Sequence, residues 1–240
     1  MRGLRRRFGT LLVVLGALSL AYAAATYFWR DPVTDLYAKW KQHGLDSALT
    51  RQFNTYRAPK VDWRRRLVAE RAVARAAAAY DRQLKLGQPI GRIAIPKLHI
   101  HPVFVHGTRW AQDLSRGPGH YVQTSLPGLG KTTAIAGHRT TFGAWFRHID
   151  ELERGNAITL ELPYGLFRYA VLGHKVVKSN DWSIIRQRGF DELVLSACHP
   201  LYSASHRWVV FARLVSVRPA GSRVAYTVAG RTPASVQAAS

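Results

Sequence analysis

Cysteine is almost absent from this sequence, which contains a single one, Cys198, among 240 residues. One thiol cannot form an internal disulfide, and it cannot supply a zinc site built from several cysteines. Acidic residues are also scarce, at 14 against 35 lysines and arginines. Asp113, Asp150 and Glu151 do not form a convincing calcium cluster. We therefore expect neither a metal ion nor a cofactor.

The shortage of acidic residues leaves a formal net charge of +21. Such a charge suits either a solvated surface facing an anionic membrane or cell wall, or nucleic-acid binding. The basic residues are spread along the chain, and no nucleic-acid motif accompanies them. This distribution favours the first interpretation, so no nucleic-acid partner is expected.

Residues 1–29 have the pattern of a membrane anchor. The basic cluster MRGLRRR is followed by residues 8–29, which carry no charged side chain and are long enough to cross a bilayer as a helix. The basic flank predicts a cytoplasmic N-terminus, with the rest of this single-pass chain outside the membrane. Alanines at 21 and 23–25 also suit a cleaved signal peptide, but the length of the run favours an uncleaved anchor.

Residues 30–87 are rich in Arg, Ala and Lys and predict a helical extracytoplasmic spacer. One helix is expected from Asp35 to about Leu49. A second is expected from Asp62, which can cap it, to Leu86, with the helix-favouring alanine run 72–79 inside it. Alternating charges indicate a mostly solvated surface for this spacer.

Residues 88–217 switch to short apolar strands separated by turn signals, without a regular alternation of strands and helices. This pattern predicts an all-β barrel or sandwich with short helical insertions. No internal repeat is present. In the remaining 218–240, an edge strand is expected over 223–228, followed by a flexible tail.

Cys198 ends one apolar run of this region, and Arg207 begins the next. If the two strands pair as neighbours, the thiol and the guanidinium share one rim of the sheet. Nearby positive charge favours the thiolate, so Cys198 is a plausible nucleophile. His138, which follows the predicted strand 132–136, is a candidate proton carrier. From spacing alone, a structural role is the commoner one for such a histidine.

A resemblance to a known family favours the proton-carrier role of His138 over a structural role. Four segments carry it, followed by Arg207 and the run 209–212. They are 91–97 (GRIAIPK), 114–121 (LSRGPGHY), 134–143 (AIAGHRTTFG) and 195–203 (LSACHPLYS). In this order they resemble the sortases, cysteine transpeptidases that attach surface proteins to the bacterial cell wall. The wording HRTT and CHPLY is most similar to class E sortases.

The resemblance implies a closed sortase β-barrel of about eight strands, with Cys198 as nucleophile, His138 as the family histidine and Arg207 as the family arginine. The implied substrate is a surface protein with a C-terminal LPxTG-like or LAxTG-like sorting signal. Cys198 would attack the Thr–Gly bond and form a thioacyl enzyme. The implied acceptor is an amine of a peptidoglycan precursor.

A cysteine–histidine pair of this kind is expected to be only partly in its active protonation state. With reference pKa values near 8.5 for cysteine and 6.5 for histidine, thiolate and imidazolium coexist in about 1% of independent pairs at about pH 7.5. The sequence therefore predicts a slow enzyme with a bell-shaped pH profile.

One position departs from the family pattern. The usual signature has Thr directly before the nucleophile, where this chain has Ala197. We expect altered rate or specificity, and not loss of activity. Two further residues are candidates for substrate binding, each with a structural alternative. His120 would line the cleft or make a structural hydrogen bond, and Tyr202 would shape the groove or pack against the barrel.

Two alternatives to the transpeptidase hypothesis stay open. The first is a sortase-fold hydrolase or an inactive relative, which Ala197 suggests. The second is a basic, membrane-tethered protein that binds anionic wall polymer. The second does not explain why Cys198, His138 and Arg207 stand in ordered motifs.

Overall fold

The computed structural model describes residues 2–28 and 31–228 of the chain. The predicted flexible tail beyond Val228 lies outside the described residues. Helix α1 (Arg2–Phe28) contains residues 8–28 of the uncharged run, and its segment Arg6–Tyr27 has a mean hydropathy of 2.0, with no buried residue in its most apolar stretch. Its length and composition make α1 a candidate membrane span.

The strands that follow range from two to fourteen residues, and several of them are buried along most of their length. They are β1 (Pro89–Ala94), β2 (Val103–His106), β3 (Gly119–His120), β4 (Thr132–Gly137), β5 (Ala157–Leu162), β6 (Gly165–Lys178), β7 (Glu192–His199), β8 (His206–Pro219) and β9 (Tyr226–Thr227).

Eight of these strands form a closed barrel. The neighbour order is β6-β5-β1-β2-β3-β4-β7-β8, and a long antiparallel pairing of β8 with β6 closes the ring. Only β2–β3 and β4–β7 run parallel. The predicted all-β closed barrel of about eight strands is confirmed. β9 adds to β8, in the part of the chain where an edge strand was expected.

Strand β7 is buried on both faces, which explains why its sequence is a continuous apolar run. Leu193 and Leu195 belong to the cluster that fills the barrel. Val194 belongs to a second cluster outside the barrel, where the 3₁₀ helix Trp182–Ile185 contributes Ile184. Because side chains alternate along a strand, Cys198 lies on the outer face of β7, the same face as Val194.

Helices α2 (Pro32–Thr55) and α3 (Arg66–Asp81) form the predicted spacer, but they pack on the barrel. In α3, Val73 and Ala77 join the barrel core cluster, whereas Leu67 is exposed. The expectation of a mostly solvated spacer is wrong on this point. Alanine carries much of the buried face and allows close approach, so the buried face of α3 gives only a weak hydropathy signal in the sequence.

The start of α3 also differs from the expectation. The helix begins at Arg66, and the residue before it makes no side-chain capping bond. Asp62 instead accepts a hydrogen bond from the Arg64 backbone N–H in the preceding turn (3.1 Å). The local hydrogen bond of an aspartate competes here with helix initiation.

Polar side chains fasten α2 to the barrel. Gln42 accepts from the Val103 N–H and donates to the carbonyls of Val103 and Arg116, each at 2.8 Å. Asp46 accepts from the Arg92 guanidinium of β1 at 2.7 Å. These contacts give α2 a fixed position relative to β1 and β2.

Replacing Gln42 tests this attachment. Gln42→Leu leaves backbone groups of β2 without partners, so we expect the free energy of unfolding to fall by about 1–3 kcal/mol. The measurement is denaturant unfolding of the detergent-solubilised chain. His43→Ala, at the exposed neighbouring position, should stay within about 0.5 kcal/mol of the unsubstituted protein. Equal effects of the two substitutions would contradict the attachment.

Candidate active site

The parallel pairing of β4 with β7 places His138 beside Cys198. In this register Gly137 is opposite Ala197, so the next residue of each strand reaches the same rim. The absence of a side chain at Gly137 permits this approach, because an added Cβ would lie 2.5 Å from the Phe146 ring. The small residues before His138 therefore have a direct packing role.

The antiparallel pairing of β7 with β8 brings the third residue to this rim. Cys198 and Arg207 are directly opposite each other. Arg207 Nη1 donates to the carbonyls of Ala204 (3.1 Å), in the loop that joins the two strands, and of His206 (3.0 Å), at the start of β8. These bonds hold the guanidinium at the rim of the cleft that the half-buried Cys198 also lines.

Cys198, His138 and Arg207 line one cleft of about 690 Å³ on the outer face of the sheet. On another wall of this cleft, the Tyr121 hydroxyl lies 2.9 Å from the Ser196 hydroxyl, and its ring meets Trp182 edge-on. The cleft therefore combines a thiol, a ring nitrogen and a cation with apolar walls. This combination suits an extended peptide that undergoes acyl transfer.

Two aromatic side chains cover His138. The ring centroids of Trp110 and Phe142 lie 6.3 and 5.6 Å from its imidazole. Burial lowers the pKa of His138 to about 4, and its Nε2 is buried without a hydrogen-bond partner. His138 is thus neutral at neutral pH while this cover, Trp110 and Phe142, is in place.

The cover is held by an unusual backbone and by α2. Phe142, Gly143 and Ala144 all have positive φ angles, of 49°, 81° and 42°. Non-glycine residues rarely adopt this conformation, so the surrounding structure must maintain it. The Phe142 N–H donates to Thr34 Oγ1 at 3.0 Å, and the ring meets Tyr37 edge-on.

Tyr202 borders the cleft from the β7–β8 loop, and it also reaches the candidate membrane helix. Its hydroxyl donates to the carbonyls of Thr26 (2.9 Å) and Tyr27 (2.6 Å), and its ring stacks on Tyr27 at 5.6 Å. The last carbonyls of a helix lack partners within the helix, and Tyr202 satisfies two of them. The residue therefore links the rim of the cleft to α1.

Ala197 borders the cleft but is only 3% exposed and belongs to the interior cluster with Leu195. By strand alternation its side chain points away from the face of Cys198. A threonine hydroxyl at this position would therefore point into the barrel, so its absence acts on the thiol only indirectly.

His120 does not border the cleft. Its surroundings fit the alternative of a structural hydrogen bond. It is fully buried, with Nε2 3.1 Å from Thr124 Oγ1, and its ring stacks on His106 at 5.5 Å. Burial, followed by the charge of His106, lowers the pKa of His120 to about 3. This histidine is a neutral part of the barrel interior.

The three carboxylates considered for calcium each contact a different basic side chain. Across residues 2–28 and 31–228 no group of His, Cys, Asp and Glu could hold a metal ion. Each carboxylate pairs with its own basic side chain: Asp113 with Arg109, Asp150 with Arg139, and Glu151 with His148.

The barrel and its cleft define a class of protein that sequence comparison identifies. A family model described as the Sortase domain matches residues 93–215, more than half of the chain. The chain therefore belongs to the sortase family. The predicted family is confirmed.

Individual relatives agree with this assignment. The chain is 36% identical to Sortase D of Bacillus subtilis (strain 168) over 134 residues, which are 54% of this chain and 66% of that protein. It is 32% identical to Sortase A of Bacillus anthracis over 133 residues, 55% of this chain and 62% of that protein. The chain thus spans slightly less than two thirds of the length of these relatives.

Among solved structures, the crystal structure of Sortase E1 from Streptomyces coelicolor with a tripeptide in its active site matches with a TM-score of 0.54. It is 26% identical, and the match covers 57% of this chain and 94% of that one. Since these relatives carry the names D, A and E1, the comparisons establish the family, and the class E assignment stays a prediction.

Sequence reasoning missed several walls of the cleft. Trp110 and Trp182 each begin a short helical turn, Tyr121 follows β3, and Phe142 lies in a loop. Elements this short carry no periodic pattern that would mark them. The HRTTFG segment contains Phe142 beside a glycine, which is the one local signal of a tight turn at the site. The contribution of Thr34 depends on α2 docking and has no signal in the sequence.

Removing part of the cover should change the protonation of His138. We expect Trp110→Ala to raise the pKa of His138 from about 4 toward 6.5, because burial is the cause of the depression. The measurement is an NMR pH titration of the imidazole signal, assigned with His138→Ala.

Trp182→Ala is the matched control for this titration, since Trp182 lines the same cleft but contacts Tyr121. Its substitution should leave the pKa of His138 unchanged. An unchanged pKa in Trp110→Ala would show that the aromatic cover does not keep the imidazole neutral.

Proposed function

We propose that this chain is a membrane-anchored sortase that joins surface proteins to the cell wall. It would cleave an LPxTG-like or LAxTG-like sorting signal between Thr and Gly. The meeting of Cys198, His138 and Arg207 in one cleft is the observation that carries the proposal. The catalytic unit is residues 88–217, with 1–29 as the anchor and 30–87 connecting the two.

In the first half-reaction, neutral His138 takes the proton of the Cys198 thiol, and the resulting thiolate attacks the Thr carbonyl carbon of the signal. Arg207, opposite Cys198 on the next strand, stabilises the negative charge that develops on the carbonyl oxygen. The C–N bond breaks, and His138 supplies the proton that the leaving glycine amine takes. The products are a thioacyl enzyme and the released C-terminal segment.

In the second half-reaction, an amine of a peptidoglycan precursor attacks the thioester. His138 accepts the amine proton, the C–S bond breaks, and Cys198 returns as thiolate. The net change is an exchange of one amide bond for another. Water as acceptor would give hydrolysis, which is the competing activity.

Two observations support an extended peptide as substrate. The apolar walls at Tyr121 and Trp182 continue the cleft away from Cys198. The Streptomyces coelicolor relative holds a tripeptide in its active site. The candidate span in α1, with Arg6 and Arg7 at its N-terminal end, supports a cytoplasmic N-terminus and an extracytoplasmic catalytic unit.

Intact-mass spectrometry of the full chain in detergent tests the reaction. LPxTG and LAxTG peptides are supplied with and without an amine acceptor. We expect an acyl adduct that is absent from Cys198→Ala and that transfers to the amine. The faster peptide identifies the preferred signal. Hydrolysis without transfer under saturating amine would replace the transpeptidase proposal with a hydrolase.

Arg207 should affect the rate of adduct formation. Arg207→Ala removes the proposed oxyanion donor, so we expect acylation to slow by about 10²-fold or more. Stopped-time mass spectrometry measures this rate. Arg218→Ala, at an exposed position of the same strand, should acylate at the unsubstituted rate. If both variants acylate alike, Arg207 has no role in the chemistry.

A further inference from the structure

The beginning of α2 carries an apolar stripe that nothing in the described protein covers. Val33, Leu36 and Trp40 are 64%, 71% and 66% exposed. Their spacing puts them on one side of the helix over its first three turns. Tyr37, between them, is also exposed.

The opposite side of α2 already has a partner. Ala38, Leu45 and Leu49 are buried, and Gln42 is bonded to the barrel. At 3.6 residues per turn, this buried side lies roughly opposite the stripe. The helix therefore has two apolar faces, and the barrel accounts for only one of them.

The stripe begins beside the outer end of the candidate span. Asp31, which caps α2, accepts a hydrogen bond from the Tyr22 hydroxyl at 2.8 Å. Tyr22 is within the segment Arg6–Tyr27, about 7.5 Å before its end at the helical rise of about 1.5 Å per residue. This distance is about the depth of one headgroup region, so α2 starts at the level of the bilayer interface.

The side chains at the stripe have the chemistry of that interface. The Lys41 ammonium lies 4.3 Å from the Trp40 ring and 5.3 Å from the Tyr37 ring. Tryptophan, tyrosine and lysine favour headgroup depth because each combines an apolar body with a polar or charged tip. The net charge of +21 complements anionic lipid.

We propose that the first three turns of α2 lie in an anionic bilayer surface, with Val33, Leu36 and Trp40 facing lipid. This inference rests on the proposed membrane anchor and adds a second, interfacial contact to it. The contact continues directly from α1, which favours lipid over a second copy of the chain as the occupant.

This contact sets the orientation of the catalytic cleft. Gln42 and Asp46 fix α2 to the barrel, so the barrel cannot rotate relative to the stripe. Thr34 accepts a hydrogen bond from Phe142, and Tyr202 bonds the end of α1. The cover and the β7–β8 loop are therefore held next to the lipid surface, and the cleft opens at headgroup level.

A single fluorescent label on the full chain tests the docking. In the Cys198→Ala background, Leu36→Cys and Lys131→Cys are each labelled with NBD and placed in phosphatidylglycerol-containing vesicles. Lys131 is the control because it is exposed at the start of β4, at the barrel end opposite His138. Vesicle flotation and proteolysis report insertion of α1 separately.

We expect lipid-borne nitroxide to quench the label at 36 and aqueous dithionite to reduce it several-fold more slowly than the label at 131. Equal dithionite rates in chains that float with the vesicles would overturn the docking and leave the anchor standing. Chains that do not float would overturn both. The label at 36 could also be protected from dithionite only at high protein density and show no quenching by lipid nitroxide. That result would assign the stripe to a second copy of the chain and also overturn the proposal.

Discussion

The parallel pairing of β4 with β7 is the constraint on which the cleft depends. Parallel neighbours end at the same edge of a sheet, so the two residues that follow Gly137 and Ala197 must meet. The bare backbone at Gly137 lets Phe146 pack underneath and keeps this edge closed. Hydrogen-bond register, and not any property of the side chains, brings imidazole and thiol together.

Part of this arrangement was accessible from the sequence. The strands ending near 136 and 198 are apolar and short, and Arg207 follows Cys198 across a loop that permits antiparallel neighbours. These local features were enough to predict that Cys198 and Arg207 lie opposite each other on neighbouring strands. The proximity of His138 did not, because the pairing of β4 with β7 joins segments about 60 residues apart in the chain. Only the resemblance of the motifs indicated it.

Small or polar side chains make the contacts that dock the two spacer helices, so hydropathy did not indicate the docking. Val73 and Ala77 dock α3 with little apolar signal, and Gln42 docks α2 by hydrogen bonds that no hydropathy pattern can indicate. β3 has only two residues, so it was indistinguishable from a loop. The orientation of Ala197 followed only once the two faces of β7 could be assigned.

Tyr202 gives the N-terminal helix a role in the shape of the cleft. Its hydroxyl satisfies two carbonyls at the end of α1, while its backbone, with φ of 64°, belongs to the loop that positions Arg207. Trimming the chain to its barrel would therefore remove the partners of a residue at the rim of the active site. Turnover numbers from such a fragment would describe an enzyme with a differently held loop, so kinetic work on this sortase needs the intact N-terminus as its reference.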